Sequence, residues 1–286
     1  MIQIIDTYAD IPCLFDDGKF NIDKWKNYIN QIYSNSAEVF LSDMKECLAD
    51  GKYTYENDIL PILNDVYENP KLDTLHKSFA KVVNELNQKV LDTFGKELDV
   101  DIVLYIGLCN GAGWVTNING VDTVLLGVEK IIELNWCDVN AMYGLIYHEL
   151  GHVYQKQYGT LERTFPESKS GYLWQLFTEG IAMYFEQVLV GKLNYYHQDT
   201  DGWKVWCDNN FLQIKTDFYN DLDTMTRQNQ RYFGDWCRYH GKGDVGYYLG
   251  ARFIQYLVKE HSFDDLIIYD LPMVSELYGE FMEKCN

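Results

Sequence analysis

Apolar residues recur at spacings of three and four along the first third of the chain. Residues so spaced share one face of an α-helix, which predicts amphipathic helices between residue 22 and about residue 95. The periodic positions are Trp25, Tyr28, Ile29, Ile32 and Tyr33, followed by Leu75, Phe79, Val82, Val83, Leu86, Val90 and Leu91. Gly95 comes directly after them and is the expected C-cap of the last helix. Residues 1–95 are therefore predicted to be an N-terminal helical region.

The pattern changes after residue 95. "DVDIVLYIGLC" is a short apolar run rich in β-branched residues, "NGAGWVTNING" contains several glycines, and "VDTVLLGVEKI" is a further apolar run. Short apolar runs separated by glycines predict two or three strands joined by turns. The glycines match neither the phosphate-binding loop nor the dinucleotide-binding pattern, so they do not indicate a nucleotide site.

Helical periodicity returns at Asp138, a candidate N-cap, and continues through "VNAMYGLIYHELGHVYQKQYG" for about five turns. A second helix is predicted over residues 171–190, and a third in "DVGYYLGARFIQYLVKEH" from Asp244. The whole pattern predicts an α+β fold, mostly helical, with a small mixed sheet before the long helix. We assign residues 96–286 to one domain that follows the N-terminal region.

Composition and charge narrow the range of partners. The chain is 47% hydrophobic, which is typical of a folded domain, and its formal net charge is −19. A nucleic-acid partner requires a basic surface, so this class is excluded. The acidic balance indicates either simple solubility or a preference for basic substrates. No stretch approaches the length and apolarity of a membrane span, and the oligomeric state is left open.

The cysteines and the N-terminus indicate a reducing compartment. Seven cysteines are widely spread without a Cys-x-x-Cys pair, which favours free thiols: Cys13, Cys47, Cys109, Cys137, Cys207, Cys237 and Cys285. The N-terminus shows no basic segment followed by an apolar run, so no signal peptide is expected. We therefore expect a cytoplasmic protein.

The segment "HELGH" carries the most specific chemistry in the chain. On a helix, residues four apart lie on the same face, so His148 and His152 can present their imidazoles to one metal ion. Glu149 lies beside that ion, where it can hold a water molecule. Only six histidines occur in 286 residues, which makes a chance match rare. Polar groups on an otherwise apolar helix are costly unless something satisfies them.

Zinc requires a third protein ligand and an open position for water. Glu179, in "LWQLFTEGIAMYFEQ" on the next predicted helix, can supply that ligand if the two helices run antiparallel. Glu186 lies two turns further along the same face, where it can hydrogen-bond a ligand histidine. The alternative is that both glutamates are solvated residues of an amphipathic helix.

These motifs resemble those of the zincin metallopeptidases, in particular the gluzincin branch. "HELGH" with the later "EGIAMYFE" is similar to the H-E-x-x-H and E-G-x-A-x-Y-x-E stretches of that branch, and "GYYLG" resembles the G-Y-x-x-G helix of a bacterial family of predicted zinc-dependent proteases. The resemblance covers residues 100–268. It implies a zincin-like fold and one zinc ion per chain, bound by His148, His152 and Glu179. Met183 replaces the aspartate of the thermolysin-type pattern, and the exopeptidase signature G-A-M-E-N is missing.

The resemblance also implies roles for other residues. Glu149 would act as the general base on the zinc-activated water, and a further donor should face the developing oxyanion. Tyr247 is the first candidate for that donor, followed by Tyr248, with His240 and Arg252 as further options. Because the chain contains 23 tyrosines, a packing role for Tyr247 is the alternative.

In zincins the substrate usually adds as a strand along a sheet edge above the metal. The segment "NGAGW" is our candidate for that edge, because its small residues allow close backbone approach: Asn110, Gly111, Ala112, Gly113 and Trp114. The alternative is a hairpin turn or a bulge. The sequence thus predicts a zinc peptidase acting on a peptide or protein substrate. A zinc-binding sensor or peptide-binding module without turnover is the second hypothesis, and a helical interaction protein without metal is the third.

Overall fold

The computed structural model describes residues 1–49, 51–161, 168–234 and 237–284. It confirms the predicted α+β class, with many helices and a small mixed sheet. Contacts divide the chain into two compact units, Met1–Glu149 and Leu150–Asn286. The division falls inside one continuous helix, and the expected boundary near residue 95 lies within the first unit.

The first unit contains a four-stranded sheet of order β1-β4-β6-β5. Strands β1, β4 and β6 are parallel, and β5 pairs antiparallel with β6 at the edge of the sheet. A second, two-stranded sheet joins β2 and β3. The strands are β1 (Ile2–Asp6), β2 (Phe15–Asp16), β3 (Lys19–Phe20), β4 (Val100–Tyr105), β5 (Gly113–Ile118) and β6 (Val121–Gly127).

The residues of β4 and of the turn between β5 and β6 explain how this part of the sheet forms. In β4, residues Ile102 to Tyr105 are fully buried, as expected for an inner parallel strand. Strands β5 and β6 form a hairpin across Asn119 and Gly120, which both adopt positive φ, at 53° and 88°. A two-residue turn with positive φ at both positions matches the right-handed twist of paired strands. The glycine-rich stretch therefore does contain a hairpin, and its turn lies after β5.

The helices of the first unit cover most of the remaining N-terminal half. Asn21 caps α1 by accepting hydrogen bonds from the N–H groups of Asp23 and Lys24, and Gly95 ends α5 in the left-handed conformation, as predicted. A 3₁₀ helix (Tyr8–Leu14) and a π-helical turn (Tyr55–Ile59) accompany them. The α-helices are α1 (Ile22–Ile32), α2 (Ala37–Leu48), α3 (Leu60–Asp65), α4 (Lys71–Val83), α5 (Leu86–Phe94) and α6 (Val128–Glu133).

The N-terminal region is not helical throughout. Residues Ile2–Asp6 form β1, which pairs with β4 from Ile2↔Val100 to Asp6↔Leu104. This five-residue strand is too short to show an alternation of apolar and polar residues, and its partner strand β4 is distant in sequence. The sequence pattern therefore did not predict β1.

The long helix α7 (Val139–Tyr158) carries the "HELGH" segment and crosses the division between the two units. The Asp138 side chain accepts hydrogen bonds from the N–H groups of Asn140 and Ala141, at 2.8 and 3.3 Å. Asp138 is therefore the N-cap, as predicted.

The second unit is helical after α7. Helices α8 and α11 pack closely at Gly180 and Gly250. A Cβ added at Gly180 would meet the backbone oxygen of Gly250 at 2.5 Å, so a glycine is needed for this approach. The Ser168 side chain caps α8, which ends at Gly191 in the left-handed conformation. The helices are α8 (Lys169–Val190), α9 (Trp203–Asn209), α10 (Phe211–Asp221), α11 (Val245–Leu257), α12 (Phe263–Leu266) and α13 (Leu271–Lys284).

Two further expectations can be compared with the structure. Within the described residues, none of the helices has the length and apolarity needed to cross a bilayer. The six cysteines in the described part of the chain are free thiols, and Cys285 lies outside the described residues.

Candidate metal centre

The "HELGH" segment lies on a buried stretch of α7. His148 is 4% exposed and Glu149 is 6% exposed. The apolar positions around them are at most 3% exposed, namely Leu145, Ile146, Leu150 and Val153. Two polar side chains are thus held in an apolar environment, which is costly unless a ligand or a partner satisfies them.

Helix α8 brings a carboxylate to the two histidines. One donor atom each from His148, His152 and Glu179 can be chosen so that all three lie within 4.8 Å of one another. His152 Nε2 and Glu179 Oε2 are 3.2 Å apart. Ligands at about 2.0–2.2 Å from a tetrahedral zinc ion lie roughly 3.3–3.6 Å from each other, and the distance between His152 Nε2 and Glu179 Oε2 is close to that range. Two imidazoles and one carboxylate are also a donor set that zinc accepts.

The close approach of α7 and α8 depends on Gly151. A Cβ added there would meet the Cα atom of Ala182 at 2.7 Å and its oxygen at 3.1 Å. Glu179 precedes Ala182 by three residues and so lies on the same side of α8. The contact at Gly151 therefore brings Glu179 beside His152, as the sequence predicted.

The edge strand β5 begins against Glu149. A Cβ added at Gly113 would meet Glu149 Oε1 at 2.7 Å, Leu145 Cδ1 at 2.8 Å and Glu149 Cγ at 2.9 Å. A larger residue at this position would displace the carboxylate of Glu149 from its place beside the strand. The backbone at the start of the sheet edge and the predicted general base are thus direct neighbours.

The five residues proposed to bind substrate occupy two kinds of position. Gly113 and Trp114 begin β5, while Asn110, Gly111 and Ala112 form the loop before it. The Asn110 side chain accepts from Leu108 N at 3.1 Å and donates to the Phe40 oxygen at 3.2 Å and to Asp43 Oδ2 at 2.6 Å. Its amide therefore holds the loop in place.

Two neighbours of Asn110 also fix the segment. Trp114 Nε1 donates to Tyr105 Oη at 3.1 Å, and the Ala112 oxygen accepts from Gly127 N at 3.0 Å. The side chains of Asn110 and Trp114 thus anchor the segment at its two ends. A substrate along β5 would therefore mainly contact backbone N–H and C=O groups of this strand.

Glu186 is buried and its carboxylate contacts His197 Nδ1 at 3.0 and 3.1 Å. The side chain of His197 is 4% exposed. His197 is therefore a core residue. Their pairing had no local signal, because Glu186 is on α8 and His197 lies in the loop after it.

The candidates for an oxyanion donor lie on or near α11. Tyr247 is in its first turn, half-buried, with its ring against Phe233 at 5.5 Å. Tyr248 is fully buried, donates to Asp208 Oδ1 at 2.9 Å and accepts from Arg252 Nη1 at 2.6 Å. Burial raises the pKa of Tyr248 well above its ordinary value. Tyr248 and Arg252 therefore form a structural network with Asp208, and the role of Tyr247 stays a prediction.

His240, the remaining candidate, lines a cavity of about 670 Å³ in the second unit. The other side chains of its wall are Trp206, Asn210, Gln213, Asp217, Arg231 and Tyr239. Tyr239 donates to Asp217 Oδ2 at 2.7 Å, and Arg231 donates to Asp221 Oδ2 at 3.1 Å. Asp217 thus has a partner in the wall, and Arg231 has one in Asp221 outside it.

Comparison of the chain with protein-family models, with curated proteins and with solved structures finds no match. The resemblance to zincin metallopeptidases therefore stays an expectation carried by the motifs themselves.

Proposed function

We propose that this chain is a zinc-dependent peptidase. The proposal is carried by one observation, the grouping of His148, His152 and Glu179 around a single point. The buried carboxylate of Glu149 beside an edge strand supports it further. These four residues belong to the motifs "HELGH" and "EGIAMYFE".

When bound at this site, zinc would lower the pKa of a water molecule to about 7 and polarise the scissile carbonyl group. His148, His152 and Glu179 would hold the ion and leave one position open. Glu149 would accept the proton of the attacking water and transfer it to the departing amine. Its low exposure keeps bulk water away and strengthens its electrostatic interaction with the reacting atoms.

The substrate would bind in extended form along β5. This strand pairs with β6 on one side and forms the end of the sheet, so a peptide can add to its other side through backbone hydrogen bonds. Gly113 lies directly against Glu149, so a peptide bond at that level of the strand would be close to the base.

The metal content of the purified protein tests the first half of the proposal. We expect about one zinc ion per chain in wild type, and loss of zinc in His148→Ala, His152→Ala and Glu179→Ala. His261→Ala is the matched control, because His261 hydrogen-bonds Tyr269 Oη and is not part of the cluster. Zinc retained in Glu179→Ala alone would show that another residue is the third ligand. No zinc in wild type, even after zinc is supplied, would rule out the proposal.

Hydrolysis of a peptide library tests the second half. Cleavage should depend on zinc and should fall by at least about 100-fold in Glu149→Gln, since a positioned general base contributes roughly 10²–10⁴-fold. Glu149→Gln should still bind zinc, because Glu149 is not a ligand. Zinc binding without any cleavage in wild type would favour the zinc-binding module without turnover.

A further inference from the structure

A second buried glutamate lies in the first unit. Glu129 on α6 is 1% exposed. Its Oε2 accepts a hydrogen bond from Gly107 N at 2.8 Å, and its Oε1 accepts from Cys109 N at 3.1 Å. Gly107 and Cys109 belong to the loop, residues 106–112, that connects β4 to the edge strand β5. One carboxylate thus holds two backbone N–H groups of this loop.

The loop is fixed at its start as well. Ile106 N donates to Tyr28 Oη at 3.2 Å, and the Ile106 oxygen accepts from Trp25 Nε1 at 2.8 Å. Asn110 holds its middle and the oxygen of Ala112 holds its end, as described above. Glu129 supplies the bonds between these points, so the path of the backbone up to Gly113 depends on it.

The space around the Glu129 carboxylate is filled by backbone. A Cβ at Gly107 would meet Glu129 Oε1 at 2.7 Å and Tyr105 Oη at 2.9 Å. A Cβ at Gly127 would meet the Gly111 oxygen at 2.5 Å and Glu129 Oε1 at 3.2 Å. Two glycines therefore allow the carboxylate to fit between the loop and the end of β6.

A carboxylate in this position is costly to stability. Burial raises the pKa of Glu129 to about 7, although the N–H groups of Gly107 and Cys109 oppose that shift. An apolar or amide side chain would avoid the cost of burying a charge. What the carboxylate adds is a pair of strong acceptors that direct two N–H groups at once. Buried carboxylates with a raised pKa are found more often at functional sites than elsewhere in proteins.

We infer that Glu129 is the positioning residue for the substrate-binding edge. It holds the loop 106–112 so that Gly113 and the start of β5 stay against Glu149. The inference rests on the proposed peptidase function. It assigns Glu129 no contact with substrate or metal, since it acts through the loop.

Steady-state kinetics of Glu129→Gln test this role. A glutamine can accept from one N–H group, but its amide N–H₂ then faces the other. We expect KM for a peptide substrate to rise about tenfold, because a hydrogen bond to a charged group is worth roughly that factor or more. The kcat value should stay within about twofold, and one zinc ion per chain should remain bound. Glu129→Asp, which keeps the charge, should restore part of the affinity.

Glu133→Gln is the matched control. It makes the same change one turn along α6, where Glu133 forms an ion pair with Lys130 and its side chain is 38% exposed. We expect wild-type KM in this variant. If KM is also wild-type in Glu129→Gln, or if that variant loses zinc, the positioning role is wrong while the peptidase proposal stands. If wild type does not hydrolyse any peptide, the proposed function fails and this inference fails with it.

A second variant covers the case in which Glu129→Gln does not fold. Gly107→Ala does not change residue 129. The added methyl group would meet the Glu129 carboxylate and displace it from the loop. Its control is Gly279→Ala, because a Cβ at Gly279 has nothing within 4 Å. We expect raised KM and faster amide hydrogen exchange in residues 106–112 for Gly107→Ala only. Wild-type KM together with faster exchange would show that the loop does not control peptide binding and would overturn the inference.

Discussion

The roles proposed for two buried glutamates, Glu149 and Glu129, differ in what their carboxylates contact. Glu149 is 6% exposed and lies beside the histidine pair, where it would serve as the proposed general base. Glu129 is 1% exposed and has its oxygens on backbone N–H groups. Burying a carboxylate costs stability unless it is paired or hydrogen-bonded. Glu129 should therefore leave a measurable signature in the stability of the protein.

That signature is a dependence on pH. The pKa of Glu129 is about 7 in the folded chain, against 4.5 for an ordinary glutamate. Between these values the folded state binds more protons than the unfolded state, so stability falls as pH rises through this window. The contribution is fully present below about pH 4.5, and roughly 3 kcal/mol of it is lost above pH 7.

Denaturant unfolding of wild type and Glu129→Gln between pH 4.5 and 8 measures the effect. The glutamine variant should gain stability relative to wild type as pH rises, since it has no proton to lose. Burial raises the pKa of the neighbouring Tyr105 and Cys109 far above this range, so these two groups do not contribute to the difference. Parallel stability curves for the two proteins would contradict the raised pKa.

At the scale of elements, the candidate site depends on two close backbone approaches. Gly151 allows α8 to lie against α7, which brings Glu179 to His152. Gly113 allows the start of β5 to lie against the Glu149 side chain. The place of Glu179 beside the histidines was predicted from the sequence, because zinc requires a third protein ligand. The strand–helix approach was not, since nothing in the local pattern around Gly113 identifies its partner.

Gly113→Ala should displace the general base. The added methyl group would meet Glu149 Oε1 at 2.7 Å and Leu145 Cδ1 at 2.8 Å, so the carboxylate must move. Because the end of a flexible side chain can move at low cost, we expect a stability loss of only about 1 kcal/mol. A misplacement of about 1 Å can cost roughly 100-fold in rate, so kcat should fall by about 10- to 100-fold.

Peptide hydrolysis at saturating substrate and zinc content of the same preparation measure the two effects of Gly113→Ala. Zinc should remain bound, since none of the three atoms nearest to the added group belongs to the proposed ligands His148, His152 and Glu179. Gly279→Ala again serves as the control, with kcat unchanged. A wild-type kcat in Gly113→Ala would show that Glu149 is not held by the strand, or is not the base.

At the scale of the whole molecule, local signals predicted local features. Periodicity and caps located α1, α5, α7 and α8, with Asp138 and Gly95 at the predicted helix ends. Pairings distant in sequence had no such signal. The pairing of β1 with β4 and the contacts of Glu129 and His197 depend on how the chain folds back, and neither composition nor spacing encodes this. The proposed metal ligands are an intermediate case. Glu179 is distant from the histidines in sequence, but the requirement of zinc for a third ligand pointed to it.

Zinc should stabilise the folded chain, because the unfolded chain has no preformed site. At a free zinc concentration 1,000 times the Kd, binding to the folded state alone contributes about 4 kcal/mol. For a chain of this size that corresponds to an increase in Tm of roughly 7 °C.

Calorimetry of metal-free and zinc-loaded protein measures this shift. His148→Ala and His152→Ala should lose most of it. His76→Ala should keep it, because His76 contacts Asp6 at 2.7 Å and stacks on Tyr8, outside the cluster. An equal increase in Tm for wild type and both ligand variants would place the zinc elsewhere. No increase in wild type would favour the third hypothesis, a helical protein in which the "HELGH" segment has no metal role.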